Sequence, residues 1–268
     1  MQLTEAYAQT RVPLNFAGDR TNGGIWSNGT PEITTQTLHS HLVDFQDARR
    51  LASPPSVEVE GFQIADAPTG PYDWHDNDWV VKTYMPHCVD LVGRLTGAGY
   101  AAPVHNSILI RDTGDVRRAP AAQFVHIDQD REAAEAMLVT AAGDAGTVAR
   151  YRRAAIFNVW RSLTPPPQDV PLALCDQRTS DEADWVVGKT IEPQVPYPIP
   201  YVSSVHNPGQ SWYYFSGMGI DEALVFKNYD SDSGRSLGCL HAAFSLPGVP
   251  TGTVPRASAE TRIAAFFE

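Results

Sequence analysis

The chain has 268 residues, of which 43% are hydrophobic and 19% are charged, and this composition is that of a globular protein rather than a disordered one. The formal net charge of −11 argues against a nucleic-acid partner, because binding a polyanion requires a basic face. No segment reaches the ~18 consecutive apolar residues that a membrane span requires. The N-terminal MQLTEAYAQTRVPLNF also lacks the basic-then-apolar pattern of a signal peptide.

The cysteines are few and widely separated. Cys88, Cys175 and Cys239 form no C-x-x-C pair, which argues against a disulfide framework or a thiolate zinc site. We therefore expect reduced, packed thiols in a cytoplasmic protein. The expected partner is a small-molecule substrate, with no nucleic acid and no membrane, and the sequence leaves a homodimer open.

The first half of the chain mixes turns with a few regular elements. Residues 1–80 are rich in polar and turn residues, and SVEVEGFQI (56–64) is the clearest strand among them. Residues 81–99 predict an amphipathic helix, because apolar residues recur at helical spacing until Gly97. SILIRD (107–112) predicts a strand, QFVHID (123–128) predicts the end of another, and EAAEAMLVTAA (132–142) predicts a helix.

The second half is a series of short strands separated by turns. The predicted strands are RRAAIFNVWRSL (152–163), PLALCDQRT (171–179), YVSSVHN (201–207), SWYYFSG (211–217), EALVFKNYD (222–230), LHAAFSL (240–246) and ETRIAAFFE (260–268). This spacing predicts a mainly β protein with flanking helices, a double-stranded β-helix (jelly roll, cupin-like). We expect a single domain, in which residues 1–80 are an extension packed on a core of residues 81–268.

One histidine stands in an H-x-D arrangement, VHID at 125–128. Residues i and i+2 of a strand point to the same side, so His126 and Asp128 can grip one ion together. His241 is the best third ligand. Two histidines and one carboxylate form the facial triad of non-haem Fe(II) oxygenases, whose three open positions suit a bidentate 2-oxo acid and O₂.

The other histidines have plainer interpretations. His206 competes with His241, but it lies in the turn-like HNPGQSW, where a structural hydrogen bond is the simpler role. His39 and His41 form an H-x-H pair that could bind zinc, yet no third ligand lies at a suggestive spacing, and we interpret both as surface residues. The remaining candidates are interpreted as structural or close to the substrate, namely His75, His87 and His105.

A second polar group follows in PRASAETR (255–262). If this segment is a strand, Arg256, Ser258, Glu260 and Arg262 share one side, and burying four polar residues requires a ligand or pairing. An Arg fork and a Ser hydroxyl match the distal carboxylate of 2-oxoglutarate. An exposed edge strand with solvated charges is the alternative. Arg262 lies more securely within the strand and is slightly preferred over Arg256 as the carboxylate ligand.

The ordered set VHIDQD, FNVWRSL, PLALCD, VHNPGQSWYYFSGMGIDEALVFKNYDSD, LHAAF and PRASAETR resembles a known family. This is the gibberellin-desaturase-like, cephamycin-methoxylation-like family of Fe(II)/2-oxoglutarate-dependent secondary-metabolite oxygenases. The resemblance runs from about residue 80 to the C-terminus. It departs from the usual pattern in GMGIDE and SLGCLHAAF, and neither departure changes a proposed ligand.

The resemblance implies a jelly roll that holds Fe(II) through His126, Asp128 and His241 and uses 2-oxoglutarate and O₂. It also implies that Arg256, Ser258 and Arg262 lie at the cosubstrate and that Asn158 and Trp160 line the iron pocket, although Trp160 could equally be core. The expected activity is oxidation of a small organic molecule by hydroxylation, desaturation or cyclisation. A cupin-like isomerase or hydrolase and a non-catalytic partner subunit are the competing hypotheses.

Overall fold

The computed structural model describes residues 9–27, 31–70, 72–112, 121–192, 195–232, 234–235 and 237–268. Strands dominate these residues: β1 (Gln9–Ala17), β2 (Ile25–Ser27), β3 (Leu38–Asp47), β4 (Phe62–Asp66), β5 (Tyr100–Pro103), β6 (Leu109–Asp112), β7 (His126–Ile127), β8 (Arg153–Ser162), β9 (Leu172–Cys175), β10 (Trp185–Ile191), β11 (Ile199–Ser204), β12 (Trp212–Tyr214), β13 (Glu222–Asp230), β14 (His241–Ala243) and β15 (Ala257–Phe267).

The helices are short and lie between strands. They are α1 (Asn77–Trp79), α2 (Met85–Thr96), α3 (Arg131–Ala142) and α4 (Ala145–Val148), with a π-helical turn at Val80–Tyr84 between α1 and α2. Four 3-10 turns lie at Pro31–Ile33, Ala48–Arg50, Gln177–Thr179 and Glu182–Asp184. No helix in the described ranges is long and apolar enough to cross a membrane.

The strands form two sheets. The nine-stranded sheet has the order β1-β3-β12-β9-β14-β7-β11-β10-β2, and the six-stranded sheet has the order β4-β13-β8-β15-β5, with β6 paired to β15. Asp128, which follows β7, is hydrogen-bonded to Asn158 on β8, so the two sheets meet around this carboxylate. The predicted mainly β architecture with flanking helices is confirmed.

Strand β8 is buried along almost its whole length because both of its sides are covered. On one side, Phe157 and Val159 pack with the α2 residues Cys88 and Leu91. On the other side, Trp160 packs with residues from both sheets, including Leu172 and Phe226. A strand covered on both sides reads as a continuous apolar run, which accounts for AAIFNVW.

Several elements agree with the sequence and one does not. Helix α2 ends where Gly97 adopts the left-handed conformation with φ 70°, as glycine allows at a helix C-terminus. Helix α3 begins at the side chain of Asp130, which accepts a hydrogen bond from Ala133 N at 2.9 Å. The strand predicted at residues 56–64 is wrong in its first half, because residues 57–60 form a turn before Gly61 (φ 90°) and the strand begins at Phe62.

Candidate metal centre and substrate cavity

Three side chains that are distant in sequence meet between the two sheets. His126 and His241 are directly opposite each other on the antiparallel strands β7 and β14. Asp128 Oδ1 lies 3.5 Å from His126 Nε2 and 3.7 Å from His241 Nε2. Among the described residues, these three form the group of metal-ligating side chains whose donor atoms all lie within 4.8 Å of one another.

Both imidazoles are oriented by the backbone. Nδ1 of His126 donates to the carbonyl of Phe124 at 2.8 Å, and Nδ1 of His241 donates to the carbonyl of Cys239 at 3.1 Å. A carbonyl can only accept, so in each neutral ring the proton is on Nδ1 and the lone pair is on Nε2. The two Nε2 lone pairs and one carboxylate oxygen therefore face a common point, which is the donor set that a divalent transition metal requires.

The charges at this point suit a cation. Burial lowers the pKa of His126, and the neighbouring His241 lowers it further, so the imidazole stays neutral. Burial opposes ionisation of Asp128, but the Arg262 guanidinium holds the pKa of that carboxyl well below its usual range. Neutral imidazoles beside an ionised carboxylate are the protonation states in which these side chains bind metals.

Arg256 and Ser258 lie together in a narrow cavity beside the three side chains. Arg256 is 3% exposed, and its Nη2 donates to Ser258 Oγ at 3.1 Å. Its guanidinium lies 5.0 Å from the centre of the Trp160 ring, and burial lowers the pKa of Arg256 to about 10. The same cavity is lined by Asp128 and His241. The structure thus brings Trp160, Arg256 and Ser258 to one side of the centre.

Arg262 has a different environment. Its Nη2 lies 3.1 Å from Asp128 Oδ2 and 3.6 Å from Glu260 Oε1, so it pairs with the carboxylates at the centre. It lies four positions further along the strand than Ser258, which is about 13 Å along the backbone. The sequence-based preference for Arg262 over Arg256 as the carboxylate ligand stays a prediction, and the two arginines have different surroundings.

A larger cavity of about 340 Å³ also adjoins the centre and shares His126 and Asp128 with the narrow one. Its wall combines aromatic and aliphatic side chains, such as Trp26, Phe124 and Ile199, with many polar and charged ones, such as His105 and Thr190. Glu260 lines both cavities, and burial together with the charge of Asp128 raises the pKa of Glu260 to about 7. A concave cavity of this volume, with aromatic side chains and convergent polar groups in its wall, can hold a small molecule.

The sequence predicts one of the two asparagines at the centre and misses the other. Asn158 is expected there from the family resemblance, and it contacts Asp128. Asn228 is not predicted, although an amide inside the apolar strand EALVFKNYD is a signal, because a buried amide must find partners. Its neighbours have other contacts: Lys227 is buried in an ion pair with Asp230 at 3.0 Å, and Tyr229 donates to Glu135 at 3.1 Å.

The remaining histidines lie apart from the centre, except for His105 in the larger cavity. His41 and His206 stack on each other with ring centres 4.1 Å apart. His87 Nε2 lies 3.4 Å from Arg161 Nη2, on the side of β8 that faces α2. Within the described ranges, His39 and His41 have no third partner that would complete a metal-ligating group.

The chain is similar to known proteins over nearly its whole length. The family model described as "Oxidoreductase/YMDC permease-like domain" matches residues 14–266. The hydroxylase/desaturase efuI of Hormonema carpetanum is 30% identical over 95% of this chain and 94% of its own length. The Fe(II)/2-oxoglutarate-dependent dioxygenase nvfI of Aspergillus novofumigatus is 28% identical over 84% of this chain and 83% of its own length.

A solved structure has the same fold. The iron and alpha-ketoglutarate-dependent endoperoxidase NvfI superposes with a TM-score of 0.86 and 26% identity, covering 97% of this chain and 98% of the other. This likeness confirms the predicted double-stranded β-helix.

Proposed function

We propose roles for the residues of the centre on the premise that this chain belongs to the Oxidoreductase/YMDC permease-like domain family. The chain is an Fe(II)/2-oxoglutarate-dependent oxygenase that oxidises a small organic molecule. Its relatives bear the names of hydroxylases, desaturases and an endoperoxidase, and one is named for aspirochlorine biosynthesis. The setting is therefore specialised metabolism, and the alternatives of an isomerase, a hydrolase or a non-catalytic subunit are set aside.

Fe(II) would be held by His126, Asp128 and His241. The observation that carries this assignment is the convergence of two Nε2 lone pairs and one carboxylate oxygen, with both Nδ1 atoms engaged by backbone carbonyls. Such backbone partners orient metal-binding histidines and fix their tautomer. Two imidazoles and one carboxylate also leave positions open for a cosubstrate.

The distal carboxylate of 2-oxoglutarate would be held by Arg256 and Ser258. Both line the narrow cavity next to Asp128 and His241, and both are almost fully buried. A buried guanidinium is stabilised by an anion, and a hydroxyl beside it adds a second donor. Trp160, over which Arg256 lies, would form the wall behind the cosubstrate. Asn158 would contact the iron site indirectly, by donating a hydrogen bond to the iron ligand Asp128.

The organic substrate would occupy the larger cavity. When bound, Fe(II) and 2-oxoglutarate supply the oxidising chemistry, because O₂ converts the 2-oxo acid to succinate and CO₂ and the remaining two oxidising equivalents act on a C–H bond. The apolar wall around Trp26, Phe124 and Tyr201 would exclude water and hold that bond next to His126. Hydroxylation, desaturation and cyclisation differ in the step after hydrogen removal, and the position of the substrate in this cavity decides among them.

Three finer assignments are also proposals. The ordered motifs from VHID to PRASAETR support a place within the gibberellin-desaturase-like, cephamycin-methoxylation-like group. Three buried free cysteines suit the reducing cytoplasm. A homodimer is the proposed assembly, and the mass of the purified protein in solution, measured by light scattering, tests it.

Anaerobic titration of the metal-free protein with Fe(II) and 2-oxoglutarate tests the metal and cosubstrate sites. We expect a visible metal-to-ligand charge-transfer band when both are present. His126→Ala and His241→Ala should each abolish the band, because two ligands hold a divalent metal far less tightly than three. His206→Ala is the matched control, since it removes a half-buried histidine that lies outside the centre.

The outcomes separate the assignments. A band that persists in His126→Ala or His241→Ala contradicts the ligand set. Iron binding without a band in the wild-type protein contradicts the chelation of 2-oxoglutarate at this centre.

A further inference from the structure

The carboxylate of Asp128 is held from one side only. Its Oδ2 accepts hydrogen bonds from Asn158 Nδ2 at 2.6 Å and Asn228 Nδ2 at 2.9 Å, and Arg262 Nη2 lies 3.1 Å away. Its Oδ1 has the two histidine Nε2 atoms as neighbours. One oxygen of the carboxylate is thus saturated with donors, and the other faces the histidines.

The two asparagines are locked to each other. Asn228 Nδ2 donates to Asn158 Oδ1 at 2.7 Å, while Asn158 Nδ2 donates to Asp128. If the Asn158 amide were turned over, its oxygen would face the carboxylate oxygen and its nitrogen would face the nitrogen of Asn228. Only one orientation is compatible with both contacts. The two side chains are 0% and 1% exposed, so water does not compete for these hydrogen bonds.

The backbone of β13 is irregular where it carries Asn228. Its pairing with β8 shifts register between Lys227 and Tyr229, so Asn228 is the residue without an opposite partner on β8. Such β-bulges turn a side chain to a new direction and are frequent next to active sites. With this bulge, consecutive residues Asn228 and Tyr229 reach the inside of the molecule, where Asn228 contacts Asp128 and Tyr229 packs with Ile156.

The bulge is held in place by its surroundings. Lys227 N donates to the carbonyl of Gly61 at 2.8 Å, and Cys239 N donates to the carbonyl of Lys227 at 2.8 Å. Gly238 lies so close that a Cβ added there would be 2.7 Å from the carbonyl oxygen of Asn228. The position of Asn228 is therefore fixed by neighbouring backbone, including the segment that leads to His241.

We propose that Asn158 and Asn228 are positioning residues that present Asp128 to the metal through a single oxygen. This inference rests on the metal site of the proposed function. A carboxylate free to rotate could offer both oxygens to the ion and so take a position that the 2-oxo acid needs. Two neutral amides prevent that rotation without adding charge next to the ion, and they act together with the charged Arg262.

Metal affinity of the metal-free protein tests this role without relying on turnover. Asn158→Leu and Asn228→Leu remove the amide donors and keep the branching at Cγ, and each should weaken Mn(II) binding by about 10- to 100-fold, as loss of an outer-shell partner typically does. Gln168→Leu is the matched control: Gln168 is a buried amide, 4% exposed, that donates to the carbonyl of Met218 away from the centre. It should bind Mn(II) as the wild-type protein does.

Two additional measurements distinguish positioning from a general loss of structure. Because both amides serve one oxygen and bond to each other, the double variant should lose less affinity than the product of the two single losses. At saturating Fe(II), both leucine variants should also shift or weaken the charge-transfer band that Fe(II) forms with 2-oxoglutarate. If a leucine variant does not fold, Asn158→Ser and Asn228→Ser replace it, and these should fall between wild type and the expected leucine values.

The failure of this inference differs from the failure of the proposed function. If the asparagine variants bind Mn(II) within twofold of the wild type while His126→Ala does not bind it, the positioning role is overturned and the metal site stands. If the wild-type protein itself binds no divalent metal, the proposed function is overturned.

Discussion

Arg256 and Arg262 are carried by the same stretch of chain, and their surroundings distinguish them. Arg256 contacts Ser258, the carbonyl of Val170 and the face of Trp160, and it lines the narrow cavity beside the centre. Arg262 lies against two carboxylates of the protein itself. A cosubstrate carboxylate in the narrow cavity would therefore lie next to Arg256, whereas the charge of Arg262 is already neutralised at the centre.

We expect Arg256→Lys to raise the dissociation constant of 2-oxoglutarate by about 10- to 100-fold, because a lysine replaces a forked donor with a point charge and loses up to two charge-assisted hydrogen bonds. The measurement is a 2-oxoglutarate titration at saturating Mn(II). Arg49→Lys, at a half-exposed ion pair with Glu222, is the control. If Arg262→Lys lost 2-oxoglutarate binding while Arg256→Lys kept it, the assignment of the two arginines would be reversed.

The stacked pair of His41 and His206 makes stability depend on pH. Burial lowers the pKa of His206 below its ordinary value of 6.5, and the charge of His41 lowers it further. Near the lowered pKa, the folded state therefore binds fewer protons than the unfolded state. The contribution of His206 to the free energy of unfolding is fully present above pH 6.5, and it is lost as the pH falls through the lowered pKa. The wild-type protein should lose more stability than His206→Phe between about pH 7.5 and about pH 5.5.

Urea unfolding of both proteins at the two pH values measures this difference. Phenylalanine keeps an aromatic ring next to His41 and Phe16 but cannot take a proton. All other titrating groups are common to the two proteins, so the comparison isolates the titration of His206 together with its coupling to His41. An equal loss of stability in both proteins on acidification would contradict the prediction.

The metal-binding residues are easier to predict from sequence than the residues that contact and orient them. His126 and Asp128 follow from the period of two in a strand, and the structure brings them together with His241. Asn228 is not predictable in this way, because a β-bulge breaks that period and has no marker in FKNYD. The different surroundings of Arg256 and Arg262 depend on position along a strand and on the opposite sheet, neither of which is visible in PRASAETR.

At the scale of elements, the sequence predicts long apolar runs well and interrupted ones poorly. The predicted helix at 132–142 and strand at 152–163 agree nearly to their ends with α3 and β8. Strands β1 and β3 are not predicted, since Pro13 and polar residues such as His39 and His41 break their apolar pattern. β1 is an edge strand of the nine-stranded sheet and β3 is the strand next to it, and the exposed side of each strand tolerates those residues.

One glycine in β10 leaves room for an aromatic ring of the neighbouring strand β11. Gly188 is directly opposite Tyr201, and a Cβ added at Gly188 would contact the Tyr201 ring, with Oη at 2.5 Å. Tyr201 lines the larger cavity, and its hydroxyl donates to the carbonyl of Gly23 and accepts from Gln36. We expect Gly188→Ala to destabilise the protein by about 1–3 kcal/mol, as overpacking does, and to weaken substrate binding by displacing the ring.

Gly93→Ala is the control for that substitution. Gly93 lies in helix α2, and a Cβ there would meet no atom within 4 Å. Alanine favours a helix interior by about 0.5–1 kcal/mol over glycine, so this variant should be more stable than the wild type. Urea denaturation of both variants measures the two shifts, and a stable Gly188→Ala protein would show that the Tyr201 ring moves freely.

For the whole molecule, the open question is what residues 1–80 contribute. The sequence predicts a single domain in which residues 1–80 are an extension packed on a core of residues 81–268, and that division stays a prediction. Strands β1, β2 and β3 are members of the nine-stranded sheet, and β4 is a member of the six-stranded sheet. Side chains of β1 and β3, including Phe16 and Phe45, pack with Trp212 and Phe244 in one apolar cluster.

We expect a variant that begins at residue 81 to lose cooperative unfolding and its near-ultraviolet circular dichroism. Deletion removes five buried side chains from that cluster, namely Val12, Leu14, Phe16, Val43 and Phe45. At about 1.5–3 kcal/mol for each side chain, the loss is on the order of 10 kcal/mol. This is as large as the total stability of a typical domain, about 5–15 kcal/mol. A variant that lacks only residues 1–8 keeps every described strand and serves as the control. A cooperative transition in the variant that begins at residue 81 would instead establish that the jelly-roll core folds alone and that the first 80 residues only cover it.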